Sequence, residues 1–319
     1  PGSAEDRVVI VVNITEQPTG ELSFGAGYST SEGIIGDVSI TERNLMGNGQ
    51  FLRLKLGGSA DRLQVDLSFT EPRFLDKNIA AGFDVFHKEL DLTSSSSYKT
   101  RRTGFVPRIG FPLSEDLWMS VNYTISRDEI YDVLPGASLA VQNAVGTALT
   151  SSVGLGLRYD TRNHPRNPNK GIYLSADADF AGLGGDVQYV RVQGEGRAYY
   201  PIFEKVTLVG RVVAGHIEGW GGEDVRLLDV FYRGGETVRG FDKAGFGPRD
   251  LGTGDALGGK SYWAANAEVR FPLPFLSESL GMNGAVFADA GSLFNAAEGA
   301  NVVANLADDS AVRASVGAS

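Results

Sequence analysis

Three charged residues in the last third of the chain have the types and spacing to make a charge-pairing site. Arg239 stands in Gly234 to Phe241, Gly-Gly-Glu-Thr-Val-Arg-Gly-Phe. Glu268 and Asp289 follow in two segments that alternate apolar and polar residues. In Tyr262–Phe271, Glu268 shares a face with Tyr262, Ala264, Asn266 and Arg270, opposite Trp263, Ala265, Ala267, Val269 and Phe271. In Ala285–Gly291, Asp289 falls with Ala285, Phe287 and Gly291. Successive side chains of a strand point to opposite faces, so both carboxylates are expected on one side of a sheet. They need a cation there. A guanidinium presents a fixed fork of donors and can meet two carboxylates at once. Arg239, Glu268 and Asp289 are therefore expected to lock a loop to a wall, with Gly234, Gly235 and Gly240 allowing close backbone approach. This is charge pairing, not bond-making.

Covalent chemistry lacks its usual parts. There is no cysteine, and His87, His164 and His216 are scattered without ligand spacing, so no metal site is expected. No dinucleotide fingerprint, Walker loop or nucleophile elbow occurs, and no serine of a strand has a histidine near it in sequence. No catalytic residue and no cofactor are expected; the chain reads as a non-enzyme. Asp177 and Asp179 share one strand's polar face and read as solvated. Ser94–Ser97 reads as a solvated turn. The sequons at Asn13 and Asn122 are weak matches. With 29 basic against 39 acidic residues, nucleic acid is a disfavoured partner, because binding it depends on Lys and Arg neutralising phosphates.

The elements that must position the three charges are strands. Of the 319 residues 42 are glycine, well above the usual share of about 7%. No apolar run approaches the roughly 18 residues of a spanning helix. Instead, Leu63–Thr70, Leu117–Ile125, Val153–Asp160 and Gly171–Phe180 alternate oily with polar or small residues. The strands run longer than the usual five or six residues and match the roughly 9–11 of a membrane crossing. Turns such as Ser31-Glu32 and Gly57–Asp61 read as tight, whereas 130–149 and 220–256 read as long loops. Short turns on one rim and long loops on the other are the pattern of an outer-membrane barrel. Trp118, Tyr123, Tyr159, Tyr199, Tyr200 and Phe271 are candidates for interfacial girdles. The expected fold is all-β: an antiparallel transmembrane β-barrel of about thirteen strands and a stub cut off at Ser319. Within it, the Gly-rich stretch folds back into the lumen. Since bacterial barrels have even strand numbers and an open edge is costly in lipid, the chain is expected to be incomplete.

Gly-Gly-Glu-Thr-Val-Arg-Gly-Phe resembles the lumenal-loop motif of the superfamily of outer-membrane assembly factors and two-partner-secretion transporters. In that family POTRA domains precede a sixteen-stranded barrel. Thr15–Tyr28 resembles the junction from the last POTRA domain into the first barrel strand. Glu42–Gln50 resembles the second hairpin of the family's assembly factors, and Tyr159–Gly171 their turn between the eighth and ninth strands. The resemblance implies residues 1–17 as the end of a POTRA domain and 18–319 as the barrel, truncated before its final strands. It implies the loop motif Gly234, Gly235, Val238, Arg239, Gly240 and Phe241, with Arg239 meeting acids on the twelfth and thirteenth strands, here Glu268 and Asp289.

The implied function is insertion and folding of β-barrel proteins into the outer membrane of a Gram-negative bacterium. Implied partners are unfolded outer-membrane protein clients, accessory lipoproteins of the assembly machinery, the lipid bilayer and lipopolysaccharide. Phe24, Gly25, Gly27 and Tyr28 would form a lateral-gate strand, because glycine within a strand weakens it. Client strands could add to its edge by β-augmentation. The alternative is a protein-translocating pore, of the two-partner-secretion or the translocation-and-assembly type, with the same loop as plug.

Overall fold

The computed structural model describes residues 18–29, 33–273 and 283–319. The expected end of a POTRA domain and the Ser31-Glu32 turn lie outside them. The strands, in chain order, are β1 Gly20–Ser29, β2 Gly33–Leu45, β3 Gln50–Ser59, β4 Arg62–Glu71, β5 Ala80–Asp91, β6 Lys99–Pro112, β7 Leu117–Tyr131 and β8 Gly146–Asp160. They continue with β9 Gly171–Ala181, β10 Tyr189–Phe203, β11 Val206–Gly219, β12 Arg249–Asp250, β13 Ser261–Pro272, β14 Asn283–Phe294, β15 Leu306–Ala307 and β16 Arg313–Ala318. Two helices are short: α1 Thr93–Ser96 and α2 Leu139–Asn143. No helix among the described residues is long and apolar enough to cross a membrane.

Fourteen of the strands form one antiparallel sheet in chain order, β1 to β11, then β13, β14 and β16, with β1 and β16 at its two ends. Each strand pairs with its neighbour in the sheet order, so backbone groups between neighbouring strands are satisfied without crossovers. The tiny β12 and β15 pair with each other outside that sheet.

Alternation sorts the side chains. Leu22, Ile40, Leu54, Leu174, Val190, Val192, Leu208 and Val212 project from one face and are exposed. The opposite face carries cross-strand ion pairs: Arg108–Asp84 at 2.7 Å, Arg158–Asp177 at 3.0 Å and Arg211–Glu195 at 2.6 Å. The oily face meets lipid and the charged face lines a lumen. The packed core lies inside that lumen. There Tyr189, Val213, Ile217, Tyr262, Ala264 and Leu293 of the wall surround Val230, Phe231, Val238 and Phe246 of the segment between β11 and β13.

Several expectations need correction. The β7 and β8 strands pair as far as Ile130 with Gly146, so the loop expected at 130–149 shrinks and contains α2. Of the added residues Ile130 is buried, packed with Val141 of α2 and Leu227, so an inner contact rather than a turn residue sets where β7 stops. Gly57 to Ser59 are strand, leaving Ala60 and Asp61 as the turn. Trp118 has the parity of the lumenal face, where it lies against Gly110. Tyr199 is buried and faces the same way. Neither joins a lipid-facing girdle. Ser94–Ser97 is no solvated turn: Ser96 is buried and Ser97 donates to Asp255 at 2.5 Å.

Val212 sits mid-strand on the oily face. Val212→Arg is expected to destabilise the folded sheet in lipid vesicles by about 2–4 kcal/mol, the midplane cost of a cation. Urea unfolding followed by tryptophan fluorescence measures it.

Candidate functional site: a segment locked inside the sheet

Residues 220–260 leave the rim after β11 and turn back into the lumen. Bridges between Phe231 and Gly259 and between Arg233 and Phe246 fold this segment on itself. Arg233 stacks on Tyr262, its guanidinium carbon 3.8 Å from the ring centre. Phe231 meets the same tyrosine edge-on at 4.7 Å.

A tight turn presents Arg239. The amides of Thr237 and Val238 both donate to the Gly234 carbonyl at 2.9 Å. Cβ atoms at Gly234 and Gly235 would overlap the carbonyl oxygens of Asp242 and Phe241, which is why glycine stands at both. Gly240 has φ +90°, a conformation that costs an L side chain energy. Val238 is fully buried and fits over Gly291, whose Cβ would come within 3.1 Å of it. Phe241 packs edge-on against Phe246 at 5.5 Å.

The guanidinium then meets both carboxylates. Arg239 Nε and Nη2 each donate to an Asp289 carboxylate oxygen at 2.8 Å, and the Arg239 backbone amide adds a third bond at 3.0 Å. Nη1 reaches Glu268 Oε2 at 2.6 Å, while Arg270 Nε holds Oε1 at 2.6 Å. The Asp289 side chain is fully shielded from solvent and that of Glu268 nearly so, whereas Arg239 remains one-third exposed. Phe287 closes the far side, its ring centre 3.5 Å from the guanidinium carbon. Asn266 donates to the Thr237 carbonyl at 3.0 Å. Asn266 pairs with Asp289 across β13 and β14, so the site is built on adjacent strands in fixed register. The arrangement fixes a backbone segment; it contains no nucleophile–base pair.

The family model described as the Omp85 superfamily domain matches residues 44–319. The chain belongs to the Omp85 superfamily. It is 32% identical to the outer membrane protein assembly factor BamA of Neorickettsia risticii over 98% of its length, and spans 42% of that relative. It is 28% identical to the mouse sorting and assembly machinery component 50 homolog, covering 81% of this chain and 54% of the mouse protein. Its fold matches the crystal structure of Haemophilus ducreyi BamA lacking POTRA domains 1–3. The TM-score is 0.82 at 25% identity, over 95% of this chain and 64% of the other. The chain thus spans about half the length of the proteins it resembles.

The four residues of the expected gate strand lie on β1, while the lock is built on β13 and β14. Tyr28 pairs with Ile34, Gly27 with Ile35, Gly25 with Asp37 and Phe24 with Val38. Phe24 and Tyr28 are 76% and 77% exposed. A Cβ at Gly25 would meet Asp37 Oδ1 at 2.7 Å, whereas Gly27 faces open space.

Two further attachments of this Omp85 segment escaped sequence reasoning. Arg226 bridges Asp229 at 2.6 Å and Asp128 of β7 at 3.2 Å. Asp255 accepts from Ser97 at 2.5 Å and from the Ser138 amide at 2.7 Å, tying the segment to the loops that carry α1 and α2. Nearby, the Tyr98 and Tyr232 hydroxyls lie 3.1 Å apart. Burial pushes Tyr98 up to about 12 and raises Tyr232 as well, so both stay neutral donors at physiological pH. Arg226 and Asp229 at i, i+3 were a readable pairing signal; the other contacts join residues far apart in sequence.

Breaking a buried ion pair from one side costs about 3–5 kcal/mol; the partial exposure of Arg239 puts Arg239→Ala near the lower end. Limited proteolysis of the folded barrel is expected to cut within residues 220–260 in Arg239→Ala at least about tenfold faster than in the parent.

Proposed function

We propose that this chain is the barrel of a machine that inserts and folds β-barrel proteins into an outer membrane, without covalent chemistry. The observation that carries the reading is the glycine content of β1: Gly20, Gly25 and Gly27 limit what side-chain packing can add to a seam along that strand. An incoming strand could complete the row of backbone hydrogen bonds there by β-augmentation. The names of the relatives, an outer membrane protein assembly factor and a sorting and assembly machinery component, support the same activity.

In this reading the roles divide by position. Phe24, Gly25, Gly27 and Tyr28 form the movable edge. Arg239, Glu268 and Asp289 keep the segment against β13 and β14 while that edge works. Gly234, Gly235, Val238, Gly240 and Phe241 shape the turn that delivers the arginine. The partners are unfolded outer-membrane protein clients, accessory lipoproteins and the surrounding lipid with its lipopolysaccharide, and the host is a Gram-negative bacterium.

A disulfide between a cysteine at Gly25 and one on the facing terminal strand of the full-length protein is expected to stop client insertion and cell growth. Reduction should restore both. Growth with the seam fully crosslinked would rule out the gate. Arg239→Ala is expected to lower client levels in the membrane, read by quantitative immunoblotting.

A further inference from the structure

The Arg239 lock fastens the inner part of the segment to β13 and β14. A separate set of charges fastens its outer part to strands on another arc of the wall. Arg226 Nε donates to Asp229 Oδ2 at 2.6 Å, and Nη2 donates to Asp128 Oδ2 at 3.2 Å and to Thr150 Oγ1 at 3.0 Å. Thr150 in turn donates to Asp128 Oδ2 at 2.6 Å, and Ser126 donates to Oδ1 at 3.1 Å. Arg102 of β6 reaches the other side of that carboxylate at 2.8 Å. From β10, Arg191 donates through Nη2 to the Asp229 carbonyl. Four wall strands, β6, β7, β8 and β10, therefore grip residues 226–229.

The two carboxylates of this grip are 3–4% exposed at the side chain, and Arg226 is 24% exposed. Arg226 and Arg102 balance Asp128 and Asp229 in charge, so loss of Arg226 leaves buried carboxylate charge undercompensated. A cavity of about 370 Å³ lies against the grip. Asp128 and Arg226 contribute to its lining together with Ala144, Val145, Leu227 and Val302, residues of the long-loop rim. Ala144 and Val145 lie between β7 and β8 and Val302 between β14 and β16, so the cavity and the grip sit at the end of the sheet that carries the long loops.

We propose that Arg226 and Asp128 form a second clasp, independent of Arg239, that holds the segment across the long-loop mouth and closes the lumen to ions. Arg226 is then a positioning residue: it keeps residues 226–229 seated, and Leu227 and Val230 with them. Leu227 packs with Ile130, Val141 and Leu257, and Val230 with Tyr189 and Phe231. Release of the clasp unseats both apolar contacts at once while Arg239 stays bound to β13 and β14. The consequence is conduction through the mouth, which involves no client and no lateral opening.

The test is single-channel recording of the full-length protein in planar lipid bilayers, with heat-modifiable migration in electrophoresis as the measure of a folded barrel. Arg226→Ala and Asp128→Asn are expected to raise the open fraction about tenfold. Arg226→Lys should recover part of the closure, because an ammonium keeps the charge but lacks the fork. Thr150→Val leaves every charge in place and removes only the bridging hydroxyl; it should give a smaller rise, and it serves if the charge variants fail to fold. Proteolysis at the Arg239 turn should remain at the parent rate throughout. Parent-like conductance in folded Asp128→Asn or Arg226→Ala, or in Thr150→Val where those do not fold, overturns the proposal. So does accelerated cleavage at the Arg239 turn, which would make the two attachments one.

Discussion

Asp289 is a carboxylate with no exposed side-chain surface, on a strand whose other face meets lipid. An ion moved from water into a protein interior loses several kcal/mol of solvation even after relaxation, and that loss must be offset where the ion sits. Arg239 offsets it with three donors. This dependence runs both ways. The wall acid is tolerable only with the segment inside, and the segment is ordered because the acid draws it there. The glycines at 234 and 235, the left-handed Gly240 and the small Gly291 under Val238 are conditions for that one approach distance.

The same economy governs the rest of the wall. Charged side chains on the lumenal face find partners nearby: Glu195 of β10 takes Arg211 from β11 across the strands and Arg197 from two positions along its own strand. Antiparallel neighbours put diagonal residues about 7–8 Å apart, within reach of a long side chain, and Arg211 with Glu195, Arg108 with Asp84 and Arg158 with Asp177 all stand in that diagonal relation. The inserted segment enters an already ordered polar surface and uses the positions where wall carboxylates sink below solvent: Asp128, Asp289 and, on its own chain, Asp229. Each is buried and each meets an arginine.

The strands were legible because their period of two is local: oily and polar residues alternate whatever lies across the sheet. The Arg239 site was legible for the same reason, since parity placed Glu268 and Asp289 on one face and left a cation to be found. What parity cannot supply is the meeting of distant loops. Ser97 and Asp255 are 158 positions apart, and no pattern near either marks the other. Four consecutive serines therefore read as solvent-facing, although one caps a buried aspartate. The end of β7 was misjudged for a related reason: Ile130 is held by burial against Leu227 and α2, and no turn residue marks the boundary. Trp118 and Tyr199 show the weakness of a residue-type argument set against parity. An aromatic near a strand end suggests an interface, but the alternation of its own strand already assigned Trp118 to the lumen.

A segment held by ion pairs behaves differently from one held by a greasy plug. Well-packed apolar groups in place of a buried ion pair are often equally stable or more so, so stability alone does not explain the arginines. Geometry does. Apolar surfaces tolerate sliding, because contact area changes little with small displacement. A bidentate guanidinium loses its hydrogen bonds within about an ångström of misplacement, since they weaken steeply with distance and angle. The segment is thereby held in one position or released, with little between. A sheet whose β1 exchanged partners, as proposed, would flex, and flexing would creep through a greasy contact. Fastening the segment to β13 and β14 by directional charges fixes the lumen's contents against those two strands, and in the proposed gate it would leave deformation to Gly-rich β1, where packing resists it least.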